Sequence, residues 1–284
     1  MYQAAAIFEG GGMRGEYSAV VIDAFLDNGI EFSSIYGVSS GACHAASFVS
    51  KQRGRAYRVS TDYLHDKHYC SIYSLITTGN LFGTDMLFRR LHFELDPFDF
   101  DTFASYQGKF YAVATNLKTG CADYLQLKPD SPKNGFPEIN ASSSMPLLAK
   151  IVHYNGNKYL DGCVADSIPV HRSIADGNKK NVLVLTRPPD YRKSPELSRP
   201  LIAIRYFRYP HFVAASRSRA RRYNEVLDFI KAEKDAGNLF VIQPKQALPV
   251  GIMTKDKAKL KLLYDLGYED TAERMDDLLT YLKS

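Results

Sequence analysis

No stretch of this chain approaches the roughly 20 consecutive apolar residues needed to cross a bilayer. Its opening, Met1-Tyr2-Gln3-Ala4-Ala5-Ala6-Ile7-Phe8-Glu9, also lacks the basic start and long apolar run of a secretory signal. A soluble protein without a signal peptide is the expectation. Cysteine is sparse, and Cys43, Cys70, Cys121 and Cys163 are scattered without a C-x-x-C pair, which argues against a disulfide framework or a zinc site. A reduced cytoplasm suits them, with the protein at most peripheral to a membrane. Internal repeats and low-complexity segments do not stand out either. What remains is an ordinary globular composition, 45% hydrophobic and 24% charged over 284 residues, with ample material for a large core. The expected organisation is one large domain, residues 1–190, followed by a mostly helical C-terminal extension, residues 191–284. A formal charge of +5 permits attraction to anionic lipid or nucleic acid without requiring either.

The first forty residues carry the clearest pattern. Ala4 to Phe8 reads as a short buried strand, followed at once by Glu9-Gly10-Gly11-Gly12-Met13-Arg14-Gly15. Apolar residues then recur at Tyr17, Val20, Val21, Ala24 and Phe25, one helical face, and Asn28-Gly29 closes that helix. Phe32 to Val38 is β-prone and leads into Gly37-Val38-Ser39-Ser40-Gly41 and a small-residue helix. Strand, glycine loop, helix, strand, serine turn and helix together start an α/β fold with parallel strands, whose loops gather at one sheet edge. Ser39 would stand at the tip of a strand-to-helix elbow, with glycine two positions away on either side so that the crowded turn can form.

Farther along, Lys51 to Gln107 is aromatic and irregular and predicts helices and long loops, suited to roofing an apolar pocket. Phe110 to Thr115 and Cys121 to Leu127 predict a hairpin through Lys118-Thr119-Gly120. Glu138 to Met145 predicts a helix with a small-residue run at Ala141 to Ser144. Ile151 to Tyr154 and Lys158 to Leu160 flank the hairpin turn Asn155-Gly156, and Asp161-Gly162 follows directly. Asn181 to Thr186 is a buried parallel strand by composition. Pro188-Pro189 and Pro195 to Pro200 read as a linker-like loop. His211 to Ala236 predicts an arginine-rich helix, Leu239 to Gln243 a strand, and the remainder two helices broken near Gly267-Tyr268.

Acyl transfer from an ester needs a nucleophile, a base and donors aimed at the developing oxyanion. Ser39 supplies the first in this reading. Gly10, Gly11 and Gly12 supply the last, because successive glycine N–H groups can turn toward one anion beside a helix start. Two arrangements compete for the base: a histidine drawn from His153, His171 or His211, or Asp161 acting directly on Ser39. The direct pair requires burial or hydrogen bonding to make a carboxylate basic enough. A rival reads Gly10-x-Gly12-x-x-Gly15 as a dinucleotide fingerprint of an oxidoreductase, with Glu31 as the ribose-binding acid. A second, non-enzymatic alternative makes the arginine-rich helix after His211 an anionic-lipid-binding surface on a catalytically silent protein. The plainer view is a solvated helix whose apolar side, Phe212, Val213, Tyr223, Val226, Leu227 and Ile230, packs on the core.

Taken together, Gly10-Gly11-Gly12-Met13-Arg14-Gly15, Gly37-Val38-Ser39-Ser40-Gly41 and Asp161-Gly162 resemble the patatin-like phospholipase family in motif, order and rough spacing. Ala114-Thr115-Asn116 and Ala141 to Pro146 extend the resemblance, which spans about Ala4 to Thr186. It implies a three-layer α/β/α fold with a mainly parallel central sheet and a Ser39–Asp161 dyad without histidine. It further implies an oxyanion hole at Gly10, Gly11 and Gly12 with Arg14 alongside, and hydrolysis of lipid acyl esters of phospholipase A, lysophospholipase or esterase type. Neither a cofactor nor a metal is implied, and no nucleic-acid partner is expected. From about Arg199 the chain is similar to the extension of a bacterial subgroup of that family.

Overall fold

In the computed structural model, which describes residues 1–247 and 250–284, the apolar runs of the sequence become the interior of one eight-stranded sheet. The strands are β1 (Tyr2–Phe8), β2 (Phe32–Val38), β3 (Lys109–Asn116), β4 (Ala122–Gln126), β5 (Val152–Tyr154), β6 (Asn157–Asp161), β7 (Asn181–Val184) and β8 (Leu239–Ile242). Five of them, in the order β3-β2-β1-β7-β8, run parallel. At one end β3 also pairs antiparallel with β4 and β6, and β5 continues from β6 through the Asn155-Gly156 turn. Both turn residues have positive φ, 46° and 75°, the geometry that a two-residue hairpin of this hand requires.

Alternation along β1 shows how the layers are built. Ala4, Ala6 and Phe8 point into one core and Ala5 and Ile7 into the other, and all five are fully buried. The first face is covered by α1 (Glu16–Asp27) and α2 (Ser40–Val49), where Phe25, Phe32 and Phe48 pack edge to face or tilted with ring centroids 5.4–6.1 Å apart. The aromatic segment adds α3 (Arg55–Thr61), α4 (Ile72–Thr78), a widened helical stretch from Met86 to Leu95, and α5 (Phe100–Ala104) on the same side. Helix α6 (Pro137–Ser143) then lies against β3 and β6, and α7 (Val170–Ala175) covers the opposite face.

After residue 190 the chain forms α8 (Arg199–Arg205), α9 (Pro210–Asp235), α10 (Lys257–Ala272) and α11 (Met275–Lys283), with β8 added to the sheet beside β7. Helix α9 buries Phe212, Val213, Tyr223 and Ile230 on the face that α7 also covers, the packed arrangement expected of an arginine-rich helix with one apolar side. Two expectations need correction. Helix α10 does not break near Gly267. A Cβ at Gly267 would lie 2.4 Å from Val20 Cγ1 and 3.1 Å from the Tyr17 ring, so this glycine lets α10 press directly onto α1. The break comes instead at Glu273-Arg274, between α10 and α11. The supposed linker from Pro195 to Pro200 contains the start of α8, with Pro200 in its first turn, where a missing N–H costs nothing. No helix among the described residues is long and apolar enough to cross a membrane.

Candidate active site

Ser39 sits between β2 and α2 with φ 54° and ψ −125°, a conformation that L side chains seldom adopt. The surrounding glycines explain how the turn closes. A Cβ at Gly37 would lie 2.5 Å from Ala42 Cα, and one at Gly41 would lie 2.4 Å from the Phe8 carbonyl oxygen, so neither position has room for a side chain. The Ser39 N–H donates to Ser142 Oγ at 2.9 Å, which ties the elbow to α6. Its hydroxyl donates to Asp161 Oδ2 at 2.8 Å.

Asp161 is delivered by the end of β6, in register with Ala114 of β3. Its backbone is held on both sides: its N–H donates to the Ser144 carbonyl at 2.8 Å and its own carbonyl accepts from Thr115 Oγ1 at 2.8 Å. The second carboxylate oxygen, Oδ1, accepts the Cys163 N–H at 2.8 Å. Gly162 permits this approach, since a Cβ there would lie 2.0 Å from the Val113 carbonyl oxygen. Burial pushes the Asp161 carboxyl above the ordinary carboxylate range, while the Cys163 amide, the Ser39 hydroxyl and the Arg219 charge on α9 pull it back down. The Asp161 carboxyl is thus more basic than a solvated aspartate and already aligned with the serine proton.

The glycine loop leaves the adjacent strand β1 and abuts the same point: a Cβ at Gly10 would lie 2.9 Å from Ser39 Cβ and 2.7 Å from Cys163 Sγ. The Gly11 N–H donates to Ser40 Oγ at 3.0 Å, and the Met13 N–H donates to the Ile252 carbonyl at 3.1 Å. Among the described residues the Gly10 and Gly12 amides donate to no protein acceptor. Arg14 stands beside the loop, its Cβ 3.3 Å from where a Cβ on Gly11 would lie, and it lines a small cavity with Thr186, Arg187 and Pro188, where burial and the Arg187 charge lower its pKa. Below the loop, the Glu9 carboxylate accepts from the Thr186 N–H (2.7 Å), the Thr186 hydroxyl (3.0 Å) and the Tyr223 hydroxyl (2.5 Å), so α9 braces the loop from beneath.

A cavity of about 110 Å³ opens beside Ser39 and is roofed by the aromatic segment, with Tyr69, Phe82, Leu87 and Phe88 in its wall. A second cavity of about 50 Å³ shares Cys43, Val59, Leu87 and Phe88 with it and runs on to Phe136 and Ile139. Together they form an apolar passage leading away from the serine. Among the polar groups in its wall are two ionisable ones in proximity, Glu16 and His44, with Glu16 Oε1 3.8 Å from His44 Nε2. Burial raises the Glu16 carboxyl to about 8 and lowers the His44 imidazole to about 4.

Glu16 and His44 carry no sequence signature of their proximity, and although Thr115, Ser142 and Ser144 fall within stretches of the resemblance, nothing in their spacing announces the hydrogen bonds they make to Ser39 and Asp161. The competing sequence readings do not assemble. His153, His171 and His211 are exposed, and the His171 ring lies tilted against Phe229 with centroids 4.3 Å apart; among the described residues no histidine bonds to Ser39 or Asp161. Glu31 precedes β2 at the opposite sheet edge from the glycine loop, where its carboxylate pairs with Lys51 at 2.5 Å, so the dinucleotide geometry is absent.

Comparison with known proteins bears on the family and the fold. The family model described as patatin-like phospholipase matches residues 6–174, and one described as a domain of unknown function (DUF6363) matches residues 209–283. The uncharacterized protein YjjU of Escherichia coli is 30% identical over 197 residues, which cover 68% of this chain and 54% of that protein. The chain thus spans about half the length of that relative. Among solved structures, VipD from Legionella pneumophila superposes with a TM-score of 0.52 at 10% identity, covering 96% of this chain and 67% of that one, a likeness of fold.

Proposed function

Because this chain belongs to the patatin-like phospholipase family, we propose that it hydrolyses acyl esters of lipids through a Ser39–Asp161 dyad, as a carboxylic ester hydrolase of phospholipase A, lysophospholipase or esterase type. The observation that carries the reading is the 2.8 Å hydrogen bond from Ser39 Oγ to a buried carboxylate beside the glycine loop. Asp161 takes the proton of Ser39 as its oxygen attacks the acyl carbonyl. The N–H groups of Gly10 and Gly12 receive the oxyanion, and Gly11 joins them when Ser40 Oγ turns aside. The leaving alcohol takes the proton back from Asp161. Water, deprotonated by the same carboxylate, then releases the acyl group from Ser39. Arg14 holds the loop in place from its own cavity, and the apolar passage under Phe82 and Phe88 takes the acyl chain.

Residues 1–190 form the hydrolase unit in this proposal, and residues 191–284 are an extension that steadies it. The Tyr223–Glu9 bond and the Arg219 charge near Asp161 support that role. Neither a cofactor nor a metal enters the steps. The test is turnover of a chromogenic acyl ester by the wild type, Ser39→Ala and Asp161→Asn, with a fluorophosphonate label located by mass spectrometry. Label at Ser39 and loss of turnover in both variants are expected; full activity of Ser39→Ala sinks the proposal.

A further inference from the structure

Helix α8 and its flanking turns present large apolar residues to solvent. Leu201 and Ile204 on the helix, with Leu197 in the turn before it and Phe207 in the turn after it, are 61%, 72%, 99% and 69% exposed. Isolated exposed apolar residues are common, but four large ones within a single short turn-helix-turn segment mark an interaction surface. The opposite side of the segment, Ile202 and Tyr206, is buried, so the outward face cannot fold away without unpacking the core beneath it.

Two further observations say what meets this face. First, from Leu197 to Asn224 the chain carries seven arginines (Arg199, Arg205, Arg208, Arg217, Arg219, Arg221, Arg222) and no carboxylate. Some of that charge lines the largest cavity described, an open groove of about 590 Å³ between the α8 segment and α9, walled by Lys193, Arg199, Arg217 and Arg221 with Asn224. The carboxylates that reach these groups are Glu196, 3.7 Å from Lys193, and Glu225, 3.2 Å from Arg221, so the groove stays cationic. Second, the end of the α8 segment is tied to a loop that lines the cavity beside Ser39. The Tyr206 hydroxyl accepts the Leu147 N–H at 3.0 Å, and Leu147 lies between Met145 and Leu148, which line the cavity beside Ser39. On the far side of that loop, the Leu81 N–H donates to the Leu148 carbonyl at 2.7 Å and brings α4 alongside with Ile72 and Ile76 exposed.

We propose that α8 and the groove behind it form a docking surface for anionic phospholipid membranes. Leu197, Leu201, Ile204 and Phe207 enter the interface and lipid phosphates settle among Lys193, Arg199, Arg217 and Arg221. Docked in this way, the Met145 to Leu148 loop, which lines the cavity beside Ser39, lies next to the bilayer between α4 and α8. The proposal deepens the lipid-hydrolase reading and rests on it for its purpose. It differs from the surface expected from sequence, because the apolar anchor lies on α8, in the stretch that reads as a linker, while α9 contributes only one wall of the phosphate groove.

The test uses the 284-residue chain with Ser39→Ala, so that vesicles stay intact, in co-sedimentation with phosphatidylcholine vesicles and with vesicles containing phosphatidylglycerol. Binding to the anionic vesicles that weakens with salt is expected. Arg217→Glu with Arg221→Glu lowers it by about thirtyfold or more, taking the usual surface contribution of each basic residue. Leu201→Asp with Ile204→Asp lowers it at least tenfold while the melting temperature stays unchanged, since both side chains already face water. Inorganic phosphate added to the anionic-vesicle mixture leaves binding intact if the groove reads lipid headgroups at a surface. Competition at low millimolar phosphate makes it a site for a free anion and overturns the membrane assignment. Equal binding of both double variants and the parent, no binding to anionic vesicles, or a concentration-dependent dimer that the α8 variant abolishes also overturns it. Wild-type turnover of a short soluble ester is measured alongside: vesicle binding without any turnover removes the hydrolase reading and leaves the surface standing.

Discussion

The Glu16–His44 pair gives the most direct check on the electrostatics of the passage, through the dependence of stability on pH. With the carboxyl at about 8 and the imidazole at about 4, the folded pair holds one proton across the whole interval between those values. The unfolded chain also holds one up to about pH 6.5, on the imidazole, so the pair contributes little slope there. Above pH 6.5 the unfolded chain has released that proton while the folded state keeps its own. The folded carboxyl pKa is raised, so this contribution is present at low pH and is lost as pH rises toward 8. At about 1.36 kcal/mol per pH unit, the 1.5 units between 6.5 and 8 amount to about 2 kcal/mol. That is a sizeable part of the 5–15 kcal/mol typical of a domain, and the other lowered histidine, His92 at about 3, contributes nothing in this window. Glu16→Gln keeps the shape and removes the titration. Urea unfolding at pH 6.5 and pH 8 should therefore show the stability gap between wild type and Glu16→Gln shifting by about 2 kcal/mol in favour of the variant at the higher pH. A gap that stays constant over this interval means that Glu16 is ionised in the folded protein, and the burial argument for its raised pKa fails.

Other outcomes follow from the proposed dyad and its supports. Ser39→Ala should lower ester turnover by about four orders of magnitude with little change in melting temperature, which steady-state kinetics and a thermal scan check together. The acid limb of the kcat/KM profile reports Asp161: activity falls as pH drops through a pKa above the ordinary aspartate value, and removing the nearby charge in Arg219→Gln moves that limb to higher pH. An unmoved limb in that variant assigns the titration to another group. Gly41→Ala brings a methyl to 2.4 Å from the Phe8 carbonyl oxygen and should cost about 1–3 kcal/mol or more in chemical denaturation, with activity lost alongside. Tyr223→Phe leaves one Glu9 oxygen without its donor and should cost about 1–3 kcal/mol, a loss that a wild-type unfolding curve would contradict.

Which parts of this arrangement were legible from sequence follows from how far each cause reaches along the chain. Gly37 and Gly41 announce the elbow because the clash they avoid arises from the turn itself, within a few residues and one neighbouring strand. Asn155-Gly156 announces its hairpin for the same reason. Gly267 misled because an isolated glycine in a helical pattern reads as a break, whereas its cause is Val20 and Tyr17 on another helix. Pro200 misled because proline stops a helix from inside but starts one from its first turn, and only the placement of Ile202 and Tyr206 in the core decides between the two. The serines of α6 were legible as small, and smallness is what lets α6 approach the elbow. That Ser142 accepts the N–H of a residue held at φ 54° could not be read, because the need for an acceptor is created by Ser39 and met from 103 positions away. The same reasoning explains why the resemblance located Ser39 and Asp161 while leaving Glu16 and His44 unnoticed. The first pair sits in motifs that a tight turn imposes locally, and the second is defined only by a burial that the finished fold creates.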